Sequence, residues 1–496
     1  MQSQIALCRV MTERGVIVFY MQQRFIQHTD YTDCARACGD NGTCRRLILF
    51  FAGWGMDASV FLALSKPGYD ILLVYDYRDN DFDESVLDGY DEICVLAWSL
   101  GVWHADRFIS SHSDLPITRT VAVNGTLCPI NDSLGIPPRI YDLTSVLPDE
   151  RALAKFYRRI CGGQGAMEQL MPVMPRRPLD ELRDELLAVR SRIPADGSTD
   201  TSNWDEIYLS DNDLIFPFEN MKRAWESAGA RVRVLAGAHH AVDFAGFLTA
   251  AFVDKDLVSG RFASAASSYE REAEVQREVA ETLLDSARTA LSGTGLSVLE
   301  IGSGTGVLTK LYQPMLSGAR ISLWDLAPAP LPATQDNTIG IKACDAEIEL
   351  RRLPASSVDI LFSSSTIQWF NSPRRFIRDV VRVLSPGGRA FISCYIDGTI
   401  PQLAMLPGAS SMHYPQLDDV LQSLDGAGCD TFSREFTLSF GSAAEALAHM
   451  RATGVNSIAR KAMSVADTRR LMRMLEVDGK AILTFNTLFI IIRKHG

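Results

Sequence analysis

Val298-Leu299-Glu300-Ile301-Gly302-Ser303-Gly304-Thr305-Gly306 decides the fold of one half of this 496-residue chain, and Ile93-Cys94-Val95-Leu96-Ala97-Trp98-Ser99-Leu100-Gly101 decides the other. Each stretch is a short, mainly apolar run that ends in a turn of small residues. The first turn is a glycine loop, and the second presents a serine. Apolar runs of this length bounded by turn signals read as strands buried on both faces, as in a parallel sheet.

Working outward from Ser99, Leu47-Ile48-Leu49-Phe50-Phe51 and Ile71-Leu72-Leu73-Val74-Tyr75 read as further buried strands. Glu206-Ile207-Tyr208-Leu209 and Val232-Arg233-Val234-Leu235 follow later. Between about residues 148 and 194 the pattern turns helical and arginine-rich (Arg151, Arg158, Arg159, Arg176, Arg177), which reads as a cap inserted over the sheet. Outward from Gly304, a helical arm over residues 261 to about 290 precedes the glycine loop. Ile321-Ser322-Leu323-Trp324-Asp325, Val358-Asp359-Ile360-Leu361-Phe362 and Arg389-Ala390-Phe391-Ile392-Ser393 then read as strands. Strands alternating with helices predict α/β architecture in both halves. The expected boundaries are a poorly patterned extension over 1–40, one α/β domain over 41–250 and a second over 251–496.

Composition narrows the function. Hydrophobic residues at 47% and charged residues at 22% are ordinary globular values. A formal net charge of −11 argues against a nucleic-acid partner. The sequence lacks a run of about 18 apolar residues, and the N-terminus lacks a signal-peptide layout, so no membrane partner and a cytoplasmic location are expected. The ten cysteines then read as free thiols. Cys34, Cys38 and Cys44 cluster without a zinc-like spacing, so no metal is expected.

Ser99 sits where a strand turns sharply into a helix, which exposes its oxygen. Ala97 and Gly101 are small enough for that turn. The N–H of Leu100, and that of Trp54 in Gly53-Trp54-Gly55, are placed to face a developing oxyanion. Leu209-Ser210-Asp211-Asn212-Asp213 offers an acid, taken as Asp213, and Gly237-Ala238-His239-His240 offers a base. His239 is preferred as that base, with His240 as the alternative. Serine, acid and histidine follow one another in the order used by α/β hydrolases.

Phe51-Ala52-Gly53-Trp54-Gly55-Met56-Asp57, Ala97-Trp98-Ser99-Leu100-Gly101-Val102-Trp103 and Val123-Asn124-Gly125-Thr126 resemble the pimeloyl-[acyl-carrier-protein] methyl ester esterases of the BioG type. The likeness covers about residues 40 to 250. It implies an α/β-hydrolase domain with a helical cap, and Ser99, Asp213 and His239 as nucleophile, orienting acid and base. Ala241-Val242 replaces the Pro-Phe usual in that family after the histidine.

In the second half, Gly302, Gly304 and Gly306 are spaced G-x-G-x-G, unlike the G-x-G-x-x-G of dinucleotide sites. Glu300, on the preceding strand end, suits a cationic amino group better than a pyrophosphate. Asp325 ends the next strand, where an acid takes ribose hydroxyls, and Asp345 is placed for an adenine amine. With Gln368-Trp369 and Leu384-Ser385-Pro386-Gly387-Gly388, the pattern resembles Rossmann-like class I S-adenosylmethionine methyltransferases. Val258-Ser259-Gly260-Arg261-Phe262, Ser268-Tyr269-Glu270-Arg271-Glu272-Ala273 and Gln276 are similar to the N-terminal arm of the malonyl-[acyl-carrier-protein] O-methyltransferases of the BioC type. That likeness implies S-adenosyl-L-methionine as cofactor, acyl carrier protein as partner, and Tyr269, Gln368 and Trp369 on the acceptor side. Together the two likenesses imply a chain that both makes and removes a methyl ester. Two rival readings remain at this level. The first half is then a non-catalytic carrier-protein docking module, or the chain joins a small-molecule methyltransferase to a general esterase.

Overall fold

The computed structural model describes residues 10–12, 15–17, 21–28, 45–194, 203–332, 336–405, 414–415, 417–422, 424–453, 464–477 and 479–496. Cys34, Cys38 and Cys44 lie outside these. The chain forms two compact units, Met1–Phe247 and Leu248–Gly496.

In the first unit a small hairpin, β1 (Val10–Thr12) and β2 (Gly15–Ile17), precedes a seven-stranded sheet. Its strands are β3 (Gln22–Gln27), β4 (Arg46–Phe51), β5 (Asp70–Tyr75), β6 (Glu92–Trp98), β7 (Ile117–Val123), β8 (Glu206–Ser210) and β9 (Val232–Leu235), in the order β3-β5-β4-β6-β7-β8-β9. All neighbours are parallel except β3, which runs antiparallel to β5. The continuous apolar runs of β4, β5 and β6 are buried along their length, because the sheet is covered on both faces.

Two sequence expectations change here. Gln22–Gln27 belongs to the sheet, which corrects the reading of 1–40 as an extension. Its residues do not alternate, because an edge strand is held by backbone pairing and by polar side chains. Gln27 donates to the carbonyls of Lys66 and Tyr69, and Gln23 to that of Asp83. The helical insertion between β7 and β8, expected from about residue 148, begins earlier. It comprises α2 (Pro138–Ser145), α3 (Glu150–Cys161), α4 (Gln164–Leu170) and α5 (Leu179–Arg192), after the helix α1 (Leu100–Ser111) that follows β6. Pro137-Pro138 looks like a break in sequence, yet proline is well suited to the first helical position.

The second unit holds β10 (Ser297–Ile301), β11 (Arg320–Asp325), β12 (Thr338–Ala343), β13 (Val358–Ser364), β14 (Leu384–Tyr395), β15 (Ala427–Phe440), β16 (Glu476–Val477) and β17 (Lys480–Lys494). The order is β12-β11-β10-β13-β14-β17-β15, with β16 paired to β17. The first five strands are mutually parallel, and β17 is antiparallel to both of its long neighbours. The strand order reverses between β10 and β13, where open α/β sheets bind ligands beyond the strand C-termini. Helices Lys255–Glu272 and Glu274–Ala287 precede β10. In the latter Val275, Val279, Leu283 and Ala287 recur at helical spacing and join Phe362, Phe391 and Phe489 in one core. Among the described residues no helix is long and apolar enough to cross a membrane.

Candidate active sites

Ser99 lies between the end of β6 and the first residue of α1 at φ 60, a conformation that costs energy for any residue but glycine. Tight packing imposes it. A side-chain carbon on Gly101 would stand 2.3 Å from the Phe51 carbonyl oxygen, one on Gly125 2.3 Å from that of Ser99, and one on Gly53 2.9 Å from Ser99 Cβ. The serine is 5% exposed.

His240 Nε2 stands 2.9 Å from Ser99 Oγ, and His240 Nδ1 stands 2.7 Å from Asp213 Oδ2. His240 and Asp213 are both buried. The other Asp213 oxygen accepts from the N–H groups of Ile215 and Phe216 at 2.7 and 2.9 Å, which fixes the carboxylate. The structure therefore corrects the preference for His239. That ring lies over Gly162, with Nδ1 3.1 Å from the Asn212 carbonyl oxygen. Consecutive residues in an extended loop point in opposite directions, and only one of the two faces β6.

The brace behind His240 was missed in the sequence. The Trp98 indole and the Asn124 amide donate to the His240 carbonyl at 2.9 and 2.8 Å, and Asn124 also bonds both the N–H and the Oγ of Ser210. Phe216 stacks on the imidazole. Trp98 and Asn124 stand in the quoted motifs, but they reach His240 across more than 80 positions of chain, so spacing does not reveal the brace. The cleft beside Ser99 has a volume of about 540 Å³ and is lined by Trp54, Leu100, Ile136, Phe156, Leu186 and Ile215 among others. The Trp54 indole donates to the Leu182 carbonyl at 2.9 Å, which ties the first loop to the cap. Of the cap arginines, Arg177 is buried between Asp76 and Glu185 at 2.9 and 2.6 Å, so it is no part of a surface patch. Arg151, Arg158 and Arg159 are exposed.

The second site is a cleft of about 1140 Å³ beyond the C-termini of β10, β11 and β13. Glu300, Gly302, Gly304, Asp325, Asp345, Tyr269 and Trp369 line it. Gly302 and Gly304 have φ 78 and 49. A side chain on Gly302 would collide with Thr366, whereas Gly304 has open space. Asp325 accepts from the Gly304 N–H at 2.9 Å and from that of Ala327 at 2.8 Å, which holds the glycine loop to β11. Burial raises the Asp325 carboxyl. Glu300 Oε2 accepts from Thr309 Oγ1 at 2.6 Å and the Tyr312 hydroxyl at 2.8 Å, and burial pushes its pKa to about 7 despite them. Asp345 caps the following helix and pairs with Lys255, which also binds Glu347 at 2.6 Å.

Two residues assigned to this cleft do not line it. Gly306 turns the loop at φ 80, and a side chain there would strike Leu331. Gln368 is 3% exposed and donates to the Ser365 carbonyl, so it supports the wall from behind. Such roles follow from the direction of the loop, which spacing does not encode. Phe262 packs on Trp369 and Tyr269 at 5.5 and 6.2 Å, forming an aromatic side of the cleft. Among the described residues no cluster of metal-ligating side chains occurs.

Residues 37–250 match the family described as pimeloyl-ACP methyl esterase BioG, and residues 299–392 match the methyltransferase domain family. A protein of Bacteroides fragilis (strain 638R) named malonyl-[acyl-carrier protein] O-methyltransferase is 30% identical over 461 residues, covering 91% of this chain and 93% of its own length. The chain belongs to that family. A biotin biosynthesis bifunctional protein BioHC of Cellvibrio japonicus (strain Ueda107) is 36% identical over 35% of this chain and 36% of its own length. The crystal structure of BioG from Haemophilus influenzae is 32% identical, covers 45% of this chain and 94% of its own, and superposes with a TM-score of 0.37. The second unit accordingly has the Rossmann-like fold of class I methyltransferases and uses S-adenosylmethionine. The cleft fits that group: Gly304 leaves backbone open to it, the Asp325 carboxylate is held at the rim, and Glu300 adds a second buried carboxyl to the lining.

Proposed function

We propose that this is a bifunctional enzyme that methylates the free carboxyl of malonyl-[acyl-carrier protein] and hydrolyses the methyl ester of pimeloyl-[acyl-carrier protein]. In this reading the first unit is an α/β hydrolase with a helical cap, acting as a serine carboxylesterase, and the second is the methyltransferase domain. The observation that carries it is the Ser99–His240–Asp213 chain of contacts in one polypeptide with the glycine-loop cleft. A docking module has no need of a serine held at positive φ against a buried histidine, which disfavours the non-catalytic alternative.

In the esterase, Ser99 Oγ attacks the ester carbonyl while His240 Nε2 takes its proton. The N–H groups of Leu100 and Trp54 face the oxyanion. His240 returns the proton to the departing methanol. Water then attacks the acyl-serine with His240 again as base, releasing the free acid and restoring Ser99. Asp213 keeps Nδ1 protonated and stabilises the imidazolium.

In the methyltransferase the bound cofactor supplies an electrophilic methyl group on a sulfonium. With the cofactor bound, Asp325 would receive the ribose hydroxyls, Asp345 would lie toward the adenine, and Glu300 would accept from the methionine amine. The acceptor carboxylate is already ionised at neutral pH, so no base is required. The surrounding residues align the two partners and exclude water, which favours a step that cancels both charges. The ester hides a charge that apolar chain-elongating pockets bury at high cost, and the esterase restores it afterwards.

The test is to incubate the chain with labelled S-adenosylmethionine and malonyl-carrier protein, and separately with pimeloyl-carrier protein methyl ester. Label transfer in the first and methanol release in the second are expected, with Ser99→Ala losing only the second. Failure of transfer to the malonyl thioester, with transfer to free small acids, would favour a small-molecule methyltransferase.

A further inference from the structure

Three buried polar side chains converge on the β13–β14 side of the methyltransferase cleft. Gln276 stands on helix Glu274–Ala287, Ser365 follows β13, and Tyr395 ends β14. Gln276 and Ser365 line the cleft, and Gln276 is only 6% exposed. Gln276 Oε1, Ser365 Oγ and the Tyr395 hydroxyl are each buried, and none has a hydrogen-bond partner outside this trio. They are close neighbours: burial pushes the Tyr395 hydroxyl up to about 12, and the Ser365 and Gln276 side chains draw it down. Buried polar groups are nearly always satisfied, so three in one place point to a missing ligand. The backbone is also strained there. Ser365 has φ 52, and it is held by its N–H donating to the Ser393 carbonyl at 3.0 Å and by Gln368 donating to its own carbonyl.

We infer that Gln276, Ser365 and Tyr395 bind the free carboxylate of the acceptor, a proposal that rests on the methyltransferase reading above. A carboxylate offers four lone-pair sites and no donor. Two hydroxyls, and the Gln276 amide turned end for end so that its NH₂ takes the place of Oε1, are three neutral donors that match it. Neutrality suits the reaction, because the carboxylate loses its charge as the methyl group arrives. A guanidinium or ammonium would hold the ground state more tightly than the transition state and slow the transfer. The one cation among the described residues lining the cleft is Lys255, engaged by Asp345 and Glu347. Position separates this group from the cofactor acids. Asp325 and Asp345 stand at the ends of β11 and β12, on one side of β10, whereas Ser365 and Tyr395 stand at the ends of β13 and β14, on the other.

The experiment measures binding of malonyl- and acetyl-carrier protein to the full chain with S-adenosylhomocysteine bound. The wild type should prefer the malonyl form. Tyr395→Phe and Ser365→Ala should each reduce that preference by roughly ten- to a hundred-fold, the value of a hydrogen bond to a charged group. Gln276→Glu keeps the size and adds a like charge, so it should abolish the preference while acetyl binding stays unchanged. S-adenosylhomocysteine affinity reports folding and should not move. A malonyl preference unchanged in all three variants would overturn the inference. So would a loss confined to S-adenosylhomocysteine affinity, which would mean that the cluster holds the cofactor's own carboxylate. Absence of methyl transfer in the wild type, with the malonyl preference intact, would instead count against the proposed function.

Discussion

His240 Nε2 stands 2.9 Å from Ser99 Oγ, while the preceding residue, His239, turns its ring to the Asn212 carbonyl. The two histidines are therefore separable by substitution. His240→Ala should lower ester hydrolysis by about three orders of magnitude or more, whereas His239→Ala should retain most activity. Methyl transfer should be unaffected in both. Hydrolysis of a short activated ester, measured beside label transfer, checks this. Loss of hydrolysis in His239→Ala alone would reverse the assignment.

Asn124 links the His240 carbonyl to Ser210 across the sheet end, so it acts by positioning. Asn124→Ala should lower kcat with little change in KM for a small ester, and the pH profile should keep its shape. It also leaves buried groups without partners, a cost of about 1–3 kcal/mol visible in thermal unfolding. A pure KM effect would place Asn124 against the substrate instead.

Glu300 has a pKa of about 7, raised by burial, in the cofactor-free chain. A bound ammonium favours the carboxylate, so binding must drive off a proton whenever the solution lies below that value. Affinity for S-adenosylhomocysteine should then rise with pH, by up to roughly tenfold per unit below about 7, and level off above it. Calorimetry between pH 6 and 8 checks this, and Glu300→Gln should flatten the profile. The stability term runs the other way. The group's folded pKa lies above its unfolded one, so its favourable contribution is full below about 4.5 and is lost as pH rises through about 7.

The two activities oppose each other unless the esterase prefers the longer chain. Ile136, Ile140, Phe156, Leu186 and Ile215 give the cleft beside Ser99 an apolar wall. Pimeloyl has about four more methylenes between its carbonyls than malonyl, each worth ~0.8 kcal/mol when buried. Full burial gives ~3 kcal/mol, or roughly a hundredfold in kcat/KM for pimeloyl over malonyl methyl ester. Ile140→Glu should erode that ratio. A flat profile in the wild type would place the ordering of steps in other enzymes.

The cap arginines divide by environment. Burial raises the Glu185 carboxyl, and Arg177 opposes that, so Arg177→Ala leaves a buried acid uncompensated. It should cost about 3–5 kcal/mol of stability, seen as a lower Tm. Charge reversal at exposed Arg151 and Arg158, which do not line the cleft beside Ser99, should leave Tm nearly unchanged and raise KM for acyl-carrier protein but not for small esters. Equal effects on both substrates would mean that these two only support the fold.

The sequence by itself determined the two α/β halves, the serine elbow and the glycine loop, because these are local. A run of apolar residues, a turn of small ones and a following helix occupy a dozen consecutive positions, and steric rules read them directly. It also supplied Glu300, Asp325 and Asp345, since residues at or next to a strand's end lie at the sheet's C-terminal edge whatever the rest of the chain does. Only the tertiary structure decided between His239 and His240, because neighbouring residues differ in direction and not in kind. It alone moved Gln368 and Gly306 behind the cleft and buried Arg177. It alone brought Gln276, Ser365 and Tyr395 together from one helix and two strands. Facing direction and long-range convergence depend on how sheets and helices pack, and no short stretch of sequence records them.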